Sequence, residues 1–349
     1  MPEILDVFNN DAFAAASMTA AMNLVPNRYG RINELGLFPA EGIATTTVAI
    51  AIQNGVLNLL PMRQRGAPPS LGAPERGTLR PFIVPHIPHD DAVLATDVQN
   101  RIALNPAGGL DTVIALVNRK LFSMRNKHAV TLEHMRNGAL RGLILDYDGS
   151  VVIDLFAEFG VTPKVVDFAL GTAGTDIAAK CREVLGHIED NLQGDTMTGV
   201  HALASPEWFA KLIGHAKVTE AYKYYASAQN PLRDDVRRAF PFAGITFEEY
   251  RGSATKLNED KTTTPQRFVP AGDVRFFPVG TTDTFATYFA PPDFVDLANV
   301  APGIDEEAQV FVAPLERMRF GKGVEIHSES NPLPMVKRPA VLVRGYSSN

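Results

Sequence analysis

Residues 30–91 read GRINELGLFPAEGIATTTVAIAIQNGVLNLLPMRQRGAPPSLGAPERGTLRPFIVPHIPHDD, a strand ribbon interrupted by a long loop rich in Gly, Pro and Arg. Thr45 to Gln53 alternates small or polar residues with apolar ones, Asn54-Gly55 follows, and Val56 to Met62 continues the pattern. Asn-Gly between two such runs is a strong hairpin signal, because both central residues of a type I′ turn need positive φ. A turn at Asn54 and Gly55 sets Ile52 opposite Leu57 and Ile50 opposite Leu59, with Val48 on the same apolar face. After Met62 the loop runs to Thr78, and a strand pattern then resumes from Leu79 to Val84. Structureless loops beyond about 12–15 residues are uncommon in compact domains unless they are lids, binding loops or disordered tips. An isolated hairpin is marginal in water, so the ribbon needs a packing partner. Another copy of the same chain is the favoured one.

The whole composition points the same way. The chain has 349 residues, 45% of them hydrophobic, enough for two packed regions. Its formal net charge is −6. Gripping nucleic acid through its phosphates calls for a basic surface, and this chain has the opposite overall sign. The single cysteine, Cys181, excludes an internal disulfide and leaves no cysteine cluster for zinc. The N-terminal MPEILDVFNNDAFAAASMTAAMNLVP carries acidic rather than basic residues ahead of its apolar middle, unlike a secretory signal. No run approaches the roughly 18–20 apolar residues of a membrane span. These features lead to the expectation of a soluble chain that is not exported by a signal peptide.

Along the chain, residues 1–38 read as a helical or irregular arm and 39–88 as the ribbon. Asp90-Asp91-Ala92-Val93 begins a short helical pattern towards Ile102, broken by Asn105-Pro106-Ala107-Gly108-Gly109. A long helix is predicted over 110–141, with Leu110, Ile114, Val117, Leu121, Met124, Leu132 and Met135 forming one stripe. At 1.5 Å per residue it is a spine of about 45–50 Å. A hairpin follows over 143–155, turning at Asp148-Gly149. From 166 to 307 the texture becomes short helices, strands and loops, with Ser205-Pro206-Glu207 as a helix start. The stretch from Gln309 to Gly345 alternates again, its prolines restricting strand pairing.

Chemical motifs are sparse. His86-Ile87-Pro88-His89-Asp90-Asp91 is the best metal-like cluster, but no third ligand set accompanies it. A strand-to-helix junction capped by Asp90 or Asp91 is the better account. Asp146-Tyr147-Asp148-Gly149 opens like a calcium loop yet lacks the rest of one, so turn chemistry explains it. Gly171 to Asp176 precedes a helix without the Gly-Lys-Ser/Thr ending of a phosphate loop; Thr175 or Asp176 as a cap suffices. Cys181 reads as a buried small thiol, and Trp208 and Tyr222 as helix packing. No catalytic residue or cofactor is assigned. Arg63, Arg65, Arg76 and Arg80 form a basic cluster in an acidic chain, which reads equally as a solvated loop or as a set for pairing with carboxylates of a neighbouring copy. With Asn54 and Gly55 at the ribbon turn, these are the candidate contacts between subunits.

Several segments together resemble a known family. They are FNNDAF (8–13), GRINELGLF (30–38), EGIATTTVAI (41–50), RGAP (65–68), FIVPHIPHDDAV (82–93) and DLFAEFGV (154–161). VRFFPVGTTDTFATYFAPPDFV (274–295) and ESNPLPMVKRPAVLV (329–343) complete the set. In this order, over essentially the whole chain, the sequence resembles the lambda-type major capsid proteins of tailed bacteriophages, also called capsid protein E. The resemblance implies an α+β Hong Kong 97-type capsid fold. In that fold 1–38 is the N-terminal arm and 39–88 the extended loop. The peripheral domain comprises 89–165, with the spine helix at 110–141, and 308–349; the axial domain is 166–307. It also implies self-assembly into pentamers and hexamers, a scaffolding protein, a portal, and enclosed double-stranded DNA. A decoration protein on the outer surface is a further lambda-type expectation. The place implied is the virion, after assembly in the host cytoplasm. No residue matches a covalent cross-link between subunits. The competing readings are an encapsulin-like cellular compartment and a metal enzyme using His86 and His89.

Overall fold

The computed structural model of the protein describes residues 17–19, 22, 30–52, 78–97, 109–223, 237, 239–257, 262–295 and 310–349. In chain order the first elements are α1 (Arg31–Glu34), β1 (Ala40–Gly42), β2 (Thr47–Ile52), β3 (Thr78–Ile83), β4 (Ile87–Leu94) and the long α2 (Gly109–Ala139). Then come β5 (Leu143–Leu145), β6 (Val151–Asp154), α3 (Leu155–Phe159), β7 (Lys164–Asp167), α4 (Ile177–Asn191), β8 (Gly199–Ala204), α5 (Pro206–Gly214) and α6 (Ala216–Lys223). Strands make up the rest: β9 (Phe240–Phe242), β10 (Ile245–Glu249), β11 (Ser253–Leu257), β12 (Thr263–Arg267), β13 (Asp273–Val279) and β14 (Phe285–Phe289). The last are β15 (Phe311–Val312), β16 (Glu316–Arg317), β17 (Gly323–Ser330), β18 (Pro332–Val336) and β19 (Val343–Tyr346). Two compact units share these elements. The first holds Met1–Val48, Phe82–Glu133 and Thr287–Pro334; the second holds Ala49–Pro81, His134–Ala286 and Met335–Asn349.

The first unit is a sheet covered by a helix. Strand β4 runs antiparallel to β17 through eight pairs, from Leu94 opposite Gly323 to Ile87 opposite Ser330. β15 and β16 pair antiparallel with the same strand. The stripe on α2 packs against this sheet: Leu116, Val117, Leu121 and Met124 cluster with Val93, Val310, Val312 and Ile326, and with Met18 and Met22. Fully burying one such side chain contributes about 1.5–3 kcal/mol, so this cluster holds helix and sheet together. β1 lies parallel to β14, with Ala40 opposite Thr287 and Gly42 opposite Phe289.

Asp90 and Asp91 correct the sequence reading. They were expected to start a helix, but they lie within β4. Beyond it residues 95–97 are helical, and the rest of the helical pattern expected towards Ile102 lies outside the described residues. A full eight-pair ladder outweighs weak local propensity. The alternation shows in Val93, buried at 3%, beside Leu94, exposed at 42%.

The second unit is built on a six-stranded mixed sheet in the order β7-β19-β13-β8-β10-β9. β7 is parallel to β19, and β8 to β10; the other neighbours are antiparallel. Aromatic rings fill one side. Trp208 of α5 meets Phe168 edge-on at 5.3 Å and stacks on Phe247 at 5.8 Å, while Phe168 stacks on Phe276 at 5.6 Å. Helix α4 buries Ile177, Cys181, Val184 and Ile188, one face at helical spacing. The cap signals act as read: the Ser205 hydroxyl accepts from Trp208 N, and the Asp176 carboxylate accepts from Ala179 N. α2 ends at Ala139, and Gly142 then turns the chain with φ +77° into the β5–β6 hairpin.

Candidate assembly surface

Where the ribbon is described, β2 pairs with β3. The Val84 amide donates to Thr46 O at 3.0 Å and extends the pairing beyond the strands. Val48, Ile50, Phe82 and Val84 are buried, but Ile83 between them is 74% exposed. Asn54, Gly55, Arg63, Arg65 and Arg76 lie outside the described residues, as does the strand expected over 56–62. Arg80 is described. Its Nη1 stands 2.9 Å from Glu158 Oε2 of the same chain, both side chains half exposed. Such a surface pair is worth at most about 1 kcal/mol.

The two histidines of the metal-like cluster have separate partners. His86 Nδ1 is 2.9 Å from Asn331 Oδ1, and His89 Nε2 is 3.0 Å from Lys127 Nζ. An ammonium group beside His89 repels a metal ion rather than helping to hold one. Neither aspartate caps a helix: Asp91 pairs with Lys120 at 2.8 Å, and Asp90 hydrogen-bonds His327 Nδ1. Behind them His128 is buried, its Nε2 3.0 Å from Ser328 Oγ. That hydroxyl gives its proton to His89 O at 3.1 Å, so the His128 Nε2 must carry the hydrogen. Among the described residues no group of three or more His, Cys, Asp or Glu side chains is arranged to hold a metal. Burial pushes the Cys181 thiol up to about 12, which keeps it protonated and unreactive at neutral pH.

Sequence reasoning missed a cationic centre in the second unit. Arg275 of β13 lies directly opposite Arg344 of β19, a like-charged cross-strand pair that is unfavourable by itself. Asp273 resolves it, since a period of two places it on the same face as Arg275. Its carboxylate accepts from Arg275 Nη2 at 2.8 Å and from Arg344 Nε and Nη2 at 3.0 and 2.9 Å. Arg344 is 69 positions from Arg275, and Arg141, which shares the centre's field, is 132 or more positions from all three, so no local motif announces it. Apolar side chains are also left exposed in this unit: Tyr147, Val151, Val152 and Val165. Such groups are common singly on monomers.

The chain is similar to proteins that build viral shells. The sequence profile described as Phage major capsid protein E matches residues 14–347. The major capsid protein of Pseudomonas phage KPP10 is 32% identical, over 96% of this chain and 97% of its own length. That of Salmonella phage Felix O1 (isolate Felix O1-VT1) is 26% identical over 95% of each. Among solved structures, the putative capsid protein of a prophage of E. coli CFT073 gives a TM-score of 0.52 at 11% identity, covering 96% of this chain and 99% of that one. A phage-related protein from Bordetella bronchiseptica RB50 gives 0.50 at 14% identity, covering 96% and 97%. The fold is therefore α+β and Hong Kong 97-like. By sequence along nearly its full length, the chain belongs to the phage major capsid protein E family.

Proposed function

We propose that copies of this chain associate into pentamers and hexamers that close into an icosahedral head around double-stranded DNA. The observation that carries this reading is the extent of the family match, which takes in arm, ribbon, spine and terminal strands together. Shell building uses the whole surface of a subunit, so a match of that extent is what such a role requires. A closed shell of identical chains needs heterologous contacts that form rings, with arms that tolerate slightly different angles between neighbours. The arm of residues 1–38 and the ribbon of 39–88 supply those contacts. Residues 89–165 and 308–349 form the peripheral domain, and 166–307 the axial domain around the five- and six-fold axes. Asn54, Gly55, Arg63, Arg65, Arg76 and Arg80 touch neighbouring subunits.

Net acidity fits a container, because a wall that packs DNA densely must not bind it tightly. The role is structural, with no catalytic step. Assembly takes place in the host cytoplasm with a scaffolding protein and a portal, and the product resides in the virion.

Electron microscopy of the purified chain over a range of concentrations tests the reading. Rings or closed particles are expected. A protein that stays monomeric at every concentration while turning over a small molecule overturns it.

A further inference from the structure

The Asp273 centre opens onto a cleft of about 490 Å³ lined by Arg141, Arg275, Arg344 and Lys164, with Asp154 and Val165 at its walls. Three of these cations, the guanidiniums, face one carboxylate, Asp273. Arg141, just past the end of α2, feels that carboxylate but makes no hydrogen bond or ion pair with any side chain among the described residues. The Nε groups of both Arg141 and Arg275 are buried without an acceptor. Burial holds Arg141 below the usual arginine range and Arg275 down to about 10, the mark of cations under-compensated for lost water. Asp154, a second carboxylate on the cleft wall, accepts from Phe156 N and Ala157 N through Oδ1 as the cap of α3. Glu183 holds Lys164 at 2.8 Å, so two carboxylates on the cleft stand against three guanidiniums.

We propose that this cleft receives a carboxylate, from an Asp or Glu side chain of a neighbouring copy of the chain, which bridges Arg141 and Arg275. The proposal rests on self-assembly. Planar guanidiniums with free donors favour an oxyanion that can accept two bonds at once. A recess of this volume is roughly 8 Å across, wide enough for one side chain carried on an extended segment of a neighbouring chain. The chain itself offers such groups in excess, with 39 Asp and Glu against 33 Lys and Arg. The rim suits protein rather than nucleic acid. Val165 is 44% exposed on β7, the edge strand of the sheet, and Val151 and Val152 are more than half exposed on the strand that ends in Asp154.

Arg141→Lys provides the test, because a carbodiimide joins an amine directly to a carboxylate it already touches. Particles are assembled from equal amounts of isotopically light and heavy Arg141→Lys chains, treated with carbodiimide, digested and analysed by mass spectrometry. The expected product is an amide between position 141 and an Asp or Glu on a peptide of the other isotope label. Arg141→Glu is expected to lower particle yield at least tenfold while the unassembled chain keeps its urea midpoint. Intact particles whose links at position 141 run only to Asp154 or Asp273 of the same chain, or that have no link there, overturn the cleft's role and leave the shell reading standing. Wild-type particle yield from Arg141→Glu does the same. A wild-type chain that never associates removes both.

Discussion

At Gly142 the backbone adopts φ +77°, and a Cβ added there would overlap the ring of Phe156. Left-handed backbone costs an ordinary residue about 1–2 kcal/mol, and the overlap adds to it. Gly142→Ala is therefore expected to destabilise the chain by about 2–4 kcal/mol, read as a lower urea midpoint at unchanged slope. His128 sets a different kind of sensitivity. Burial, with the charges of His89, Arg125, Lys127 and His327 around it, lowers its pKa from 6.5 to about 3. Between those values the unfolded chain binds the extra proton, so stability is full above about pH 6.5 and falls as pH drops. The loss by pH 5 is about 2 kcal/mol. His327 opposes this: although its partial burial works the other way, hydrogen bonds to Asp90 and Glu329 raise its pKa. Its contribution is complete below about pH 6.5 and is lost as pH rises through the folded value. His128→Gln keeps a donor for Ser328 and removes the acid slope. Urea unfolding at pH 7 and pH 5 is expected to show a difference about 2 kcal/mol smaller in the variant than in the wild type.

At the scale of elements, legibility followed sequence distance. The spine helix could be read because its period is local, and the stripe at Val117, Leu121, Met124, Leu132 and Met135 is buried as that period requires. Helix α5 was equally plain, since Ser205 and Pro206 state its start within two residues. β4 was misread because Asp90 and Asp91 acquire their meaning from His327 and Lys120, far along the chain. The arginine centre was invisible for the same reason: residues 141, 275 and 344 meet only after two strands and a helix are in place. The ribbon's outer part belongs to the proposed contacts with other copies. Deleting residues 63–77 leaves β3 whole, so the protein is expected to keep its unfolding midpoint within about 0.5 kcal/mol. It should lose the capacity to form closed particles, as seen by electron microscopy. Normal particles from that deletion would remove the ribbon loop from the assembly contacts.

For the whole molecule, the proposed contacts between copies are largely electrostatic: basic ribbon residues and the arginine cleft on one copy, surplus carboxylates on another. Exposed charges lose most of their mutual attraction beyond a Debye length, which falls from about 10 Å at 0.1 M salt to about 3 Å at 1 M. Light scattering during assembly is expected to show the onset of particles moving to higher protein concentration as salt increases; an onset that does not move would argue against ion pairing as the main adhesive. The topology also governs synthesis. β19 slots between β7 and β13, both translated well before it, while β4 must wait for β17 some 230 residues later. Pairings that distant form slowly and only once both partners exist. Neither sheet can be completed on a nascent chain that has not yet reached β17 and β19. A polypeptide abandoned by the ribosome before that point would carry open sheet edges and exposed core, an obvious target for chaperones and proteases. Defective subunits would then be cleared before they could be built into a lattice.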